Sequence, residues 1–164
     1  MKIEYNNLYT HFIFTVFRRE RSISEANRMR IEKYMTGIVN NNLSKLYAIY
    51  ANPEHVHFLV FRSPALSEEQ LASIVAESSQ RFINENKLTR GNFSWQTTAS
   101  AFSFSKSDVN RICHYILDQP EHHKSVTFAE EYEAFINYYQ KSLQKIKVIR
   151  LLVRRSEVST KVQT

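Results

Sequence analysis

Glycine, proline and cysteine are all scarce in this chain: two, three and one among 164 residues. Two glycines cannot build a Gly-rich cradle for phosphates, so Rossmann and P-loop nucleotide binding are excluded and no nucleotide cofactor is expected. The single Cys113 rules out a disulfide framework and a thiolate zinc knuckle, and it fits a reducing compartment. No apolar run approaches transmembrane length and no signal-peptide pattern opens the chain, so a soluble, cytoplasmic protein with no membrane partner is expected.

What is present is a folding composition: 43% hydrophobic and 13% aromatic residues, which argues against disorder and, at this length, for one domain. The net charge of +6 is unevenly spread. Residues 141–164 carry seven Lys/Arg against one Glu, whereas residues 1–140 carry fifteen of each sign. Within that body the first 51 residues are basic, with eight Lys/Arg and four acidic residues. An anionic partner would therefore meet the N-terminal segment and the tail, although a single charge cluster is more often a solvated helix face. The division expected is a domain over 1–140 and a basic helical or flexible tail over 141–164.

Residues 8–17 (LYTHFIFTVF) are aromatic and β-branched without a breaker and read as a buried strand, ended by the charged loop Arg18-Arg19-Glu20-Arg21. Ser24 is placed to cap a helix reaching about Asn42, with Met29, Ile31, Tyr34, Met35, Ile38 and Val39 near helical spacing. Residues 45–51 alternate as a strand, Asn52-Pro53-Glu54 is a short turn, and 55–61 is the next strand, expected to pair antiparallel with it. Ser67 and Gln70 form a capping box for a helix to about Asn86 that buries Leu71, Ile74, Val75, Ser78 and Phe82. Trp95 to Ser105 is an extended segment or fourth strand, Ser107-Asp108 caps a helix over 108–119, and 128–145 is a last amphipathic helix. The order β-α-β-β-α-β is that of an α+β, ferredoxin-like split βαβ fold with an antiparallel sheet, followed by C-terminal helices.

Two features carry chemistry. In a strand His55 and His57 point the same way, roughly 6–7 Å apart, and make half of a divalent-metal site. An isolated His-x-His is more often a pair of half-buried histidines on an edge strand. The helix 108–119 has an apolar stripe of Val109, Ile112, Cys113 and Ile116, and Tyr115 stands four residues before Gln119, on one face. His114 lies about 100° round the helix from Tyr115. His122 and His123, after Pro120, read as surface residues.

Together Tyr9-Thr10-His11-Phe12-Ile13-Phe14, Glu54-His55-Val56-His57, Trp95-Gln96 and Tyr115-Ile116-Leu117-Asp118-Gln119 resemble, in order and separation, the HUH-class single-tyrosine transposases of insertion sequences and the REP-associated tyrosine transposases. The resemblance covers about residues 5–140. It implies that His55, His57 and the Gln119 side-chain oxygen hold Mg²⁺ or Mn²⁺, and that Tyr115 attacks DNA to form a 5′-phosphotyrosine adduct. It further implies single-stranded DNA with hairpin ends as substrate, and a homodimer in which the tyrosine helix acts in its own subunit or in its neighbour's. Arg18, Arg19 and Arg21 are the residues chosen for phosphate contacts, with the tail second; His11 and Glu54 are placed behind the ligands. The alternatives are a domesticated relative acting as a DNA- or RNA-binding regulator or site-specific nuclease, and a metal phosphoesterase with water as nucleophile.

Overall fold

The computed structural model describes residue 1 and residues 3–138. It divides into two compact units, Met1–His122 and a second beginning at His123. The basic tail 141–164 and the end of the last amphipathic helix lie outside the described residues; within the second unit, 128–138 are helical.

In the first unit β1 (Tyr9–Thr15), β2 (Lys45–Ala51), β3 (His55–Phe61) and β4 (Ser100–Phe104) form one antiparallel sheet in the order β2-β3-β1-β4. That is the split βαβ arrangement, with β1 and β3 in the centre. Both central strands are buried on both faces for their first six residues, and their only polar side chains there are Thr10 and the histidines His11, His55 and His57. The edge strands are partly exposed.

One face of the sheet is covered by α1 (Glu25–Asn41) and α2 (Glu68–Glu85). Phe12, Phe14, Val56, Phe58 and Val60 meet Ile31, Met35 and Val39 of α1 and Leu71, Val75 and Ile83 of α2 there. Phe12 stacks on Phe58 at 5.1 Å, and Tyr34 on Phe82 at 3.8 Å, tying the two helices together at their outer edge. The α2 capping box forms as expected, with Ser67 Oγ accepting from Gln70 N–H and Gln70 Oε1 accepting from Ser67 N–H. Ser24 does precede α1, but its side chain makes no capping hydrogen bond.

The buried stripe of α2 is displaced from the expected one. It runs Leu71, Val75, Ser79, Ile83; Ser78, Ile74 and Phe82 are only half-buried. Ser79 turns inward because its hydroxyl accepts the Trp95 indole N–H at 3.0 Å, satisfying a donor that would otherwise be buried without a partner. Trp95 also bridges Val16 and packs edge-on to Phe14, and so carries the chain back towards β1 before β4 begins.

The opposite face carries α3 (Val109–Leu117), whose Val109, Ile112 and Ile116 pack on Tyr9, Ala48 and Leu59. Burying each of these aliphatic side chains stabilises that contact by about 1.5–3 kcal/mol. α3 ends at Leu117, two residues short of the expected end. Pro120 has no N–H, and in a continued helix its ring would clash with the carbonyl four residues back; Asp118 N–H closes on His114 O at 2.9 Å, and Gln119 opens the short α4 (Gln119–His122). No helix among the described residues is long and apolar enough to cross a membrane.

Candidate active site

The face under α3 is where the histidines gather. Antiparallel register sets His57 opposite Ile13 and His11 opposite Leu59, so His11 and His57 are diagonal neighbours on one face. Their Nε2 and Nδ1 atoms are 3.0 Å apart. His55 and His57 stand with rings perpendicular, centroids 4.9 Å apart, and offer ring nitrogens within 4.8 Å of each other. All three imidazoles are fully buried.

Gln119 is also fully buried, and its Oε1 lies 3.4 Å from His55 Nε2. Two ligands on one cation, with bonds of about 2.1 Å, are about 3.0 Å apart in octahedral and about 3.4 Å apart in tetrahedral coordination. The pair therefore has the spacing of adjacent ligands, and the donor set of imidazole nitrogen and amide oxygen fits a divalent cation.

One member of this cluster was invisible in the sequence. Asn52, in the β2–β3 turn, donates through Nδ2 to Gln119 Oε1 at 2.8 Å and lies 2.9 Å from His55 Nε2. An amide nitrogen only donates, so His55 Nε2 accepts, and the ring proton sits on Nδ1, on the side of Glu54 Oε1 at 3.7 Å. That is the tautomer in which Nε2 has a lone pair for a ligand.

Tyr115, half-buried, lies at the border of the α3 stripe. Its ring is edge-on to His57 at 6.0 Å and to His11 at 6.3 Å. His122, expected at the surface, is instead half-buried with its ring 5.6 Å from that of Tyr115. His114 is exposed. In the second unit His123 Nδ1 bonds Val126 O at 2.8 Å. Burial pushes the Cys113 thiol up, while the Arg111 and Ser105 hydrogen bonds hold the exposed Asp108 carboxyl below its ordinary value.

The arginine loop begins beyond the His55 end of β3. Val16 N–H bonds Glu54 O at 2.9 Å, and Ile23 N–H bonds Pro53 O at 3.0 Å. Arg18 and Arg19 are exposed and hold left-handed φ values of 56° and 57°, a conformation that costs a non-glycine residue about 1–3 kcal/mol. Arg21 is paired with Glu54 at 3.0 Å.

Residues 4–119 match the family described as "Transposase IS200 like". The chain belongs to this family. Solved transposase structures share its fold. A candidate transposase from Deinococcus radiodurans R1 is 18% identical with a TM-score of 0.56, covering 73% of this chain and 96% of its own. A REP-associated tyrosine transposase bound to a REP hairpin is 14% identical with a TM-score of 0.54, covering 77% of this chain and 74% of its own. No curated protein matches the chain in sequence. The IS200-like match ends at Gln119, and so takes in every residue of the buried histidine, amide and tyrosine cluster but His122.

Proposed function

We propose that this IS200-like family member is a metal-dependent DNA transposase that nicks and rejoins single-stranded DNA through Tyr115. The observation that supports it most directly is the placement of Tyr115 edge-on to His57, in the chain whose His55 and Gln119 have ligand spacing. His55, His57 and Gln119 would hold Mg²⁺ or Mn²⁺. The bound cation supplies Lewis-acid polarisation of the scissile phosphate and offsets its developing charge.

The protein groups do the rest. Tyr115 Oη forms a bond to phosphorus and the bond from phosphorus to the 3′ oxygen breaks, leaving a 5′-phosphotyrosine and a 3′-hydroxyl. The phenol gives up its proton and the leaving 3′ oxygen takes one; one phosphate ester replaces another, so no external energy source is consumed, and attack by another 3′-hydroxyl reverses the step and joins strands. His11 keeps His57 ready as a ligand if His57 Nδ1–H donates to His11 Nε2, which turns the lone pair of His57 Nε2 to the site. Arg18, Arg19 and Arg21 would contact the phosphates of the incoming strand, a reading supported by the loop's backbone ties to Glu54 and Pro53 beyond the His55 end of β3. Hairpins at element ends as the recognition feature draw support from the hairpin-bound relative, and homodimer assembly from the family resemblance.

Incubation with Mn²⁺ and single-stranded oligonucleotides labelled at the 5′ or the 3′ end and carrying element-end hairpins tests this. A covalent protein–DNA adduct that Tyr115→Phe abolishes is expected. Cleavage that survives Tyr115→Phe overturns the tyrosine mechanism in favour of a water nucleophile.

A further inference from the structure

We propose that Asn52 is a further member of the metal site, its carboxamide turning between two states: nitrogen inward without the cation, oxygen inward with it. This rests on the reading of His55, His57 and Gln119 as ligands.

An asparagine before a proline in a hairpin turn is ordinarily spent on its own backbone. Asn52 is 5% exposed, and its Nδ2 donates to Gln119, 67 residues away, at 2.8 Å, while lying 2.9 Å from His55 Nε2. The turn that carries it is fixed by the Val16–Glu54 and Ile23–Pro53 backbone hydrogen bonds. Both acceptors it serves are ligand atoms. In the metal-free chain the two N–H groups stand where positive charge belongs. They satisfy two buried acceptors.

A cation bonded to His55 and Gln119 takes over both lone pairs. The Asn52 N–H groups then face a positive charge, which is repulsive. The two ends of a carboxamide are nearly equal in size, so half a turn about the Cβ–Cγ bond exchanges them without moving the backbone. Oδ1 then occupies the place Nδ2 held, 2.8 and 2.9 Å from the other two donor atoms. With their own separation of 3.4 Å, these three atoms outline one triangular face of an octahedral site, whose edge is about 3.0 Å for bonds of about 2.1 Å. A second amide oxygen also adds a hard donor, the kind that Mg²⁺ and Mn²⁺ favour.

The test is Mn²⁺ titration of the full chain, followed by the electron paramagnetic resonance signal of free Mn²⁺, with melting temperatures taken with and without the ion. Asn52→Leu should weaken Mn²⁺ binding about tenfold or more. Asn52→Asp, which presents only oxygen, should restore or tighten it and should melt lower than the wild type without metal, because its carboxylate faces Gln119 Oε1. Binding by Asn52→Leu as tight as wild type, or failure of Asn52→Asp to restore it, overturns the proposal. If Asn52→Leu does not fold, the Asp variant alone decides. His55→Ala separates the two levels: if it binds Mn²⁺ like the wild type, the metal-site reading falls; if it loses the ion while Asn52→Leu keeps it, only the role of Asn52 falls.

Discussion

His11 is held between strands, opposite Phe102 on β4 and diagonal to His57 on β3, with its Nε2 3.0 Å from His57 Nδ1. In the proposed site, a residue so placed would act by fixing which ring nitrogen of its neighbour carries the proton. Replacement by leucine should therefore lower Mn²⁺ affinity by about 10–100-fold, read by titration, while Tyr115 and its helix stay in place. His55 and His57 were legible as a pair because the strand period puts both on one face, whereas Tyr115 and Gln119 were singled out through the family resemblance, since α3 ends between them. Asn52 was not. In a sequence, Asn-Pro means a turn, and only the hairpin and the break after α3 bring its amide to two residues of different elements.

Elements were read correctly where apolar period and capping chemistry agreed, and misread where a single polar contact or a proline decided. The Ser67–Gln70 box belongs to the first kind. Ser67→Ala should cost about 1 kcal/mol and lower the melting temperature by about 2–4 °C, with Mn²⁺ affinity unchanged, as thermal unfolding and titration would show. The stripe of α2 belongs to the second. Helical spacing alone cannot tell Ser78 from Ser79, and the choice is made by an indole N–H sixteen residues downstream that needs an acceptor. The end of α3 is likewise set by Pro120. The cut matters for chemistry, since it places the tyrosine on the helix and the glutamine after it, not both on one continuous face as the spacing suggested.

At the scale of the first unit, the sheet is shared between two tasks. Two long helices on one face pack on aromatic and aliphatic side chains of the sheet, and the short α3 on the other face brings the tyrosine to the histidines. This division was implicit in the strand order, which the β-α-β-β-α-β sequence dictated. The sequence could not show that both helix layers would bury the central strands so completely. β3 is hydrogen-bonded along both edges, to β1 and to β2. Its amide protons can reach solvent only when the whole unit opens, whereas α3 is nine residues long and can be released by local opening. In heavy water the amides of His55 to Phe61 should therefore keep their protons longest and those around Tyr115 lose them early, an ordering that exchange mass spectrometry would read directly. The histidines keep time with global unfolding, and the tyrosine runs on a faster clock.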